Sequence, residues 1–321
     1  MQYKKIPKTD IAPSVIIMGS DSLGSAVNEK QSFEMLDRYI QLGGNLIDTA
    51  NIYGYPTQES EKVIGRWLKD RGYREKVIIG TKGAHPNPAT MHISRLSREE
   101  IRADAEQSLE NLKTDYIDLY WLHRDDENLD CGDIIETLNE LIKEGKVREI
   151  GASNWKASRI AEANRYAQEH GLKGFRASQI KWSYAVTYDE YDEDPTLVTM
   201  DKTELEFYKQ SDLAGFAYAS QAKGFFSKYD AGGEEALSEK AKERYLCTEN
   251  LERYKLAKDI ASRSNISISS VILQYLINQP FPVYPIVGCR NVSQLEDSMK
   301  AADANLTAED IQRLLNVSCE K

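Results

Sequence analysis

Residues Gly43 to Gly54 read Gly-Gly-Asn-Leu-Ile-Asp-Thr-Ala-Asn-Ile-Tyr-Gly, and the fold turns on how this stretch is understood. Asn45-Leu46-Ile47 is a short apolar run next to glycines, too brief for a helix and suited to a buried strand that delivers Asp48 at its carboxyl end. Tyr53 follows on the connecting loop. A carboxylate at the top of a buried parallel strand, with a phenol shortly after it, places an acid and its electrostatic partner on one rim.

Outward from this stretch, strand-like runs recur at Val15 to Gly19, Asn45 to Asp48, Val77 to Thr81, Ile117 to His123, Glu149 to Ser153, Ala177 to Ile180, Gly215 to Tyr218 and Val283 to Val287. Helix-period stretches alternate with them: Ser32 to Leu42, Glu59 to Asp70, Arg98 to Leu112, Asp133 to Glu144, Trp155 to Glu169, Lys202 to Lys209, Asn250 to Ser264 and Val292 to Ala302. Strands that are apolar along their length, each followed by a covering helix, predict an α/β protein built as a closed parallel (β/α)8 TIM barrel. The 321 residues then form one barrel domain over 1–321. The competing doubly wound sheet wants G-x-G-x-x-G after a strand, and Gly19 to Gly24 fails that spacing.

Met1 to Pro13 is expected to form an N-terminal β-hairpin that plugs the far end of the barrel. Leu306 to Val317 is expected to be an extra C-terminal helix, opened by Thr307 with Asp310 three residues on, packing outside and reaching toward the site. Ala219 to Asn250, with Gly224, Gly232, Gly233 and many charges, reads as a mobile lid. Long interruptions of this kind follow the strand ends, where barrels build their sites.

A formal net charge of -10 argues against nucleic acid or an anionic membrane as the main partner and favours a small soluble ligand. Cys131, Cys247, Cys289 and Cys319 lie far apart, which suits reduced thiols. With no apolar leader core and no apolar run of membrane-spanning length, a cytoplasmic location is expected.

Four polar groups meet at the predicted rim: Asp48, Tyr53, Lys82 after the third strand and His123 after the fourth. A phenol ordinarily has a pKa of about 10, too high for easy proton donation at neutral pH. A neighbouring Lys82 ammonium is expected to lower it, with Asp48 keeping Lys82 charged, while neutral His123 holds a carbonyl oxygen. A metal site on His123, Asp125 and Asp126 lacks a second histidine at ligand spacing, so no metal is expected.

In order and at these intervals, Gly44-Asn-Leu-Ile-Asp-Thr-Ala-Asn-Ile-Tyr-Gly54 with Ser60-Glu-Lys-Val-Ile-Gly65, Thr81-Lys82, Asp115-Tyr-Ile-Asp-Leu-Tyr-Trp-Leu-His123 and Gly145-Lys-Val-Arg-Glu-Ile-Gly-Ala-Ser-Asn154 are highly specific. The chain resembles the aldo-keto reductases from its N-terminal hairpin through the eighth helix. The resemblance implies an NAD(P)H-dependent oxidoreductase interconverting a carbonyl and an alcohol, with Tyr53 as general acid, Lys82 and Asp48 tuning it, and His123 orienting substrate. It implies a nicotinamide held by Ser153, Asn154 and Gln179 at the carboxamide, Asp48 at the ribose and Tyr218 stacked on the ring. Ser220, Gln221, Ala222 and Gly224 match the loop that wraps the pyrophosphate. Gly288, Arg290, Gln294 and Asp297 match the segment that grips the adenosine end, where Arg290 tilts the choice toward NADPH over NADH.

The family commonly has proline and leucine where Gln221 and Ala222 stand, lysine and serine at Gly288 and Cys289, and asparagine at Ser298. Asp21 stands where many relatives place a large apolar side chain. With Tyr55, His85, Arg124 and Lys181 beside it, the mouth is expected to be wet, and the substrate to be a small, polar, sugar-like carbonyl or polyol. Trp121 is expected in the barrel core. The competing functions are a cofactor-holding regulatory subunit, and a lyase or isomerase in which the nicotinamide is recycled.

Overall fold

Each of the eight strand-like runs forms a strand in a computed structural model, which describes residues 1–187 and 194–316. They are β1 (Ile17–Gly19), β2 (Leu46–Asp48), β3 (Ile78–Gly83), β4 (Ile117–Leu122), β5 (Val147–Ser153), β6 (Ala177–Lys181), β7 (Ala214–Tyr218) and β8 (Val283–Gly288). All pair in parallel and close in sequence order, β8 back onto β1. The register sets Gly19 opposite both Asp48 and Gly288, Lys82 opposite Trp121, and Ser153 opposite Gln179. Asp48, Lys82, Ser153 and Gln179 therefore arrive at one rim.

The helices are α1 (Glu29–Gln41), α2 (Glu59–Arg71), α3 (Arg98–Leu112), α4 (Cys131–Lys143), α5 (Ala157–Glu169), α6 (Lys202–Gln210), α7 (Phe225–Gly232), α8 (Glu239–Tyr245), α9 (Thr248–Ser264), α10 (Ile268–Ile277), α11 (Val292–Lys300) and α12 (Ala308–Leu315). Local capping starts several of them. Ser97 Oγ accepts from the Glu100 amide and donates to its carboxylate, and Thr307 does the same with Asp310. The extra C-terminal helix is thus present as α12, packed on α9 and α10. Its expected end at Val317, like Cys319, lies outside the described residues. None of the described helices is long and apolar enough to cross a membrane.

One expectation is corrected. The helix that covers β8 from the β7–β8 connection is α10, not the Asn250 to Ser264 segment; α9 packs on α10 rather than on the strands. All of α10 is buried, its polar Ser269, Ser270 and Gln274 included, so no solvent-facing stripe reveals a helical period. The segment read as a lid is largely helical. It carries α7 and α8 and is anchored by buried Phe225, Phe226, Leu237 and Tyr245.

The barrel interior is apolar below the rim. The N-terminal arm pairs with itself through Lys4 N to Pro13 O (3.1 Å) and Ile6 N to Ile11 O (2.9 Å), as the plug reading requires. It inserts Ile6 and Ile11 among Ile17, Leu46, Leu119 and Ala177. Above them Trp121 meets Phe216 edge-on at 4.9 Å, and Phe216 stacks on Tyr284 at 4.7 Å. Trp121 fits because its neighbour on β5 is Gly151: a Cβ there would stand 2.4 Å from the indole. Gly151→Ala is expected to cost about 1–3 kcal/mol through forced repacking of that ring. A clear drop in melting temperature is the outcome expected, and an unchanged one would show that the indole has room to move.

Candidate active site

The two-residue alternation of β2 and β3 sends Leu46 and Asp48, then Gly80 and Lys82, into the barrel. Both charged side chains are almost wholly buried. Lys82 Nζ donates to Asp48 Oδ2 at 2.7 Å, to the Thr49 carbonyl at 2.7 Å and to Tyr53 Oη at 3.2 Å, so all three of its protons are placed. Gln179 Nε2 reaches across from β6 to Asp48 Oδ1 at 2.8 Å. The His123 ring lies edge-on to Tyr53, centroids 5.9 Å apart. The four candidate residues are brought together.

Electrostatics follow from that burial. Lys82 is held above the ordinary lysine value: desolvation pulls it down, but Asp48 and then Tyr53 more than offset it. Both Asp48 oxygens accept hydrogen bonds, which suits the ionised carboxylate. Tyr53 corrects the expectation of a lowered phenol. Burial pushes it up, the Lys82 charge pulls it down, and the net position is above the usual 10. Burial, then the positive charge of Arg124, holds His123 well below an ordinary imidazole, hence neutral. Its Nδ1 is buried without a partner among the described residues. An orphaned acceptor is better tolerated than an orphaned N–H, which places the proton on Nε2.

The residues expected around a dinucleotide line the same rim, in unequal readiness. Tyr218 is half-buried beside the strand ends and donates to Asn154 Oδ1 at 2.6 Å. Asn154 also donates to the His123 carbonyl and to Ser153 Oγ, so its amide is engaged within the protein. Ser220 is likewise tied to the Ile286 carbonyl at 2.6 Å. The turn after β7 curls through left-handed Ala219, Ala222, Lys223 and Gly224. Gln221 Nε2 reaches Ser298 Oγ on α11 at 3.2 Å.

Past β8, the ground at Gly288 is open: an added Cβ would find only Asp21 Oδ1, at 3.8 Å. The exposed Arg290 side chain makes no hydrogen bond or ion pair among the described residues, and its own amide is held by Gln294 Oε1 at 2.8 Å. Asp297 accepts from Ser267 and borders a cavity of about 360 Å³ that Ser227, Asp230 and Lys258 also line. An open glycine floor, a half-buried ring at one end and an uncommitted guanidinium at the other fit an elongated, flat-headed anion such as a nicotinamide dinucleotide.

The mouth is narrower in its chemistry than expected. Asp21 is exposed, and its charge is felt at both Asp48 and Tyr53. Tyr55 is 52% exposed on the β2–α2 loop. Arg124 does not face the mouth freely: it bonds Asp194 (2.9 Å), Thr196 (2.9 Å) and the His123 carbonyl (2.8 Å). Lys181 is buried at the end of β6. His85 stands edge-on to His123 at 4.6 Å.

Sequence reasoning missed what holds His85. Asp104, buried on α3, accepts from the Ala84 amide at 2.8 Å and from both ends of the Arg95 guanidinium at 3.0 and 2.7 Å. Arg95 in turn donates to the His85 carbonyl at 3.2 Å. An arginine in a loop and an aspartate in mid-helix carry no shared signal in the sequence.

An eight-stranded parallel barrel with a buried Asp–Lys–Tyr cluster and a neutral histidine at its carboxyl rim defines a class of carbonyl-handling barrel proteins. The Aldo/keto reductase family model matches residues 15–318, and the chain belongs to that family. It is 30% identical to an uncharacterized oxidoreductase, YrpG, of Bacillus subtilis, over 98% of this chain and 95% of that one. It is 29% identical to the norsolorinic acid reductase stcV of Emericella nidulans (90% and 72% covered) and 29% identical to an aryl-alcohol dehydrogenase of Pestalotiopsis microspora (96% and 79%). The thermostable aldo-keto reductase Tm1743 shares the fold, with a TM-score of 0.75 at 24% identity over 99% of this chain and 100% of that one. The protein is an oxidoreductase of carbonyl–alcohol chemistry, in a family that uses nicotinamide cofactors.

The suppressed basicity of His123 has a measurable consequence for stability. Below the ordinary value of 6.5 the unfolded chain takes up a proton that the folded protein refuses, so stability falls on acidification through that window. Asp48, pushed the other way by burial, works in the opposite sense, so the effect is read as a difference. Relative to His123→Asn, the wild type is expected to lose stability as pH drops from about 7 toward 5 in denaturation curves. Parallel pH profiles would show that this imidazole titrates normally.

Proposed function

We propose that the protein is an NADPH-dependent reductase of small, polar, hydroxylated carbonyl compounds, reversible toward the alcohols. The observation that carries the reading is the Lys82 Nζ to Tyr53 Oη contact at 3.2 Å, beside a buried Asp48. A bound nicotinamide supplies the hydride in reduction and takes it up in oxidation. The residues do the rest. Neutral His123 donates from Nε2 to the carbonyl oxygen and fixes its position, with Tyr53 Oη–H as the second donor. Because burial keeps Tyr53 protonated at rest, the acid is loaded at neutral pH. As negative charge grows on the oxygen the proton passes from Oη, and the adjacent ammonium stabilises the phenolate left behind.

For the cofactor, Ser153 and Gln179 would meet the carboxamide, Asp48 the ribose and Tyr218 the face of the ring. Asn154 would have to give up one of its present bonds to join them. Ser220, Gln221, Ala222 and Gly224 would wrap the pyrophosphate, and Gly288, Gln294 and Asp297 the adenosine. Arg290, exposed and uncommitted, suits a 2′-phosphate. Asp21 and Tyr55 at the mouth, with His123 and Tyr53 below, favour a substrate that carries hydroxyls. The names of the relatives favour a second reading, an aromatic ketone or aldehyde.

With NADPH and a panel of short hydroxyaldehydes, ketoses and aromatic carbonyls, cofactor absorbance should fall fastest with the hydroxylated compounds. A faster rate with the aromatic ones would reverse the substrate reading. Cofactor binding without turnover would support a regulatory subunit, and product without net cofactor change a lyase or isomerase. Tyr53→Phe should lower kcat by about 10²–10⁴-fold with NADPH affinity retained, since only the proton donor is lost. Arg290→Ala should weaken NADPH binding by about tenfold or more while sparing NADH, and equal losses would assign the arginine to structure.

A further inference from the structure

We propose that His85 selects the substrate, its Nε2 accepting a hydrogen bond from a hydroxyl on the carbon next to the carbonyl, so that the protein recognises 2-hydroxy aldehydes and ketones. The inference rests on the reductase reading above and names the group that makes the mouth selective.

The state of the ring is set by its neighbours. His85 Nδ1 lies 2.6 Å from the Pro86 carbonyl oxygen. A ring nitrogen that close to a pure acceptor carries the proton. Burial, then the Arg124 charge, keeps the imidazole less basic than usual, so it is neutral and Nε2 is a bare lone pair. The charged groups around it are Arg124, Arg95 and Asp194, and Arg124 is already bonded to Asp194. Nε2 has no protein partner among the described residues.

The position of the ring is also fixed. Ala84, the residue before it, adopts a left-handed φ of 59°, an uncommon conformation for a residue with a Cβ. Strain of this size persists where surrounding contacts enforce it, and such residues cluster at binding sites. Here the enforcement is the Arg95–Asp104 pair, which grips the Ala84 amide on one side and the His85 carbonyl on the other. The result is three neighbouring rings, with His123 edge-on to Tyr53 at 5.9 Å and to His85 at 4.6 Å. A carbonyl oxygen held by the first two leaves the substituent on the adjoining carbon to face the third. The first two rings donate and the third accepts, which matches a carbonyl followed by a hydroxyl. Asp21, another acceptor, follows β1, with its Oδ1 beside Gly288 at the end of β8.

The test compares D-glyceraldehyde with propanal, which lacks the hydroxyls, under saturating NADPH, for wild type, His85→Phe and His85→Asn. The wild type should prefer glyceraldehyde in kcat/KM. His85→Phe should cut that preference about tenfold by acting on glyceraldehyde, with propanal changed by less than about threefold. His85→Asn, whose amide oxygen can accept, should restore part of it, and melting temperatures establish that the variants fold. Equal losses on both aldehydes would make His85 a merely structural residue. A preference retained in His85→Phe would overturn the proposal while leaving the polar-substrate reading intact. A wild type without the preference would overturn both, and no turnover of either aldehyde, with aromatic carbonyls still reduced, would overturn the polar-substrate reading and this proposal with it while leaving the reductase reading intact.

Discussion

The structure depends on a buried ammonium. Lys82 is enclosed by the barrel, where an unpaired charge would cost several kcal/mol, and it is tolerated because Asp48, the Thr49 carbonyl and Tyr53 each accept one of its hydrogen bonds. Those partners come together only when the barrel is closed. Asp48 belongs to the neighbouring strand, and its second oxygen is held by Gln179 from the far wall. The same positive charge then sets the state of everything near it: it moderates the rise in Tyr53 and helps keep His123 unprotonated.

Below this cluster the molecule is apolar by design of its strands. The N-terminal arm closes the floor with Ile6 and Ile11, and the Trp121–Phe216–Tyr284 stack fills the middle. Trp121 lies two residues before His123 and packs against Gly151 of the next strand, which leaves room for the indole. Apolar packing underneath is what makes the Lys82 and Tyr53 environment poorly solvated, and hence strongly coupled.

What was legible in the chain was the barrel. Short apolar runs such as Leu46–Asp48 and Ile117–Leu122 can hardly be anything but buried strands, and their polar ends mark the rim. The α10 helix was illegible because it is buried on every side, its polar Ser269, Ser270 and Gln274 included, so no exposed face marks a helical period. The α7–α8 segment was obscured by glycines and charges that outnumber Phe225 and Phe226, the residues that anchor it. The direction of the Tyr53 shift could not be read either, since it is a contest between burial and a nearby charge whose outcome needs the actual depth of the pocket. Residue types foretold the cluster; its balance had to be seen.

The β3–α3 connection is pinned to α3 by Asp104, not to the turn after β7 or to α11, where the dinucleotide would lie. The selectivity proposed for His85 and the ground proposed for the cofactor would therefore hang from different parts of the scaffold. On that reading a lineage could exchange residues 84–97 for another loop, provided the new one kept a grip on Asp104, and so acquire a new diet while the Lys82–Asp48–Tyr53 cluster was inherited untouched.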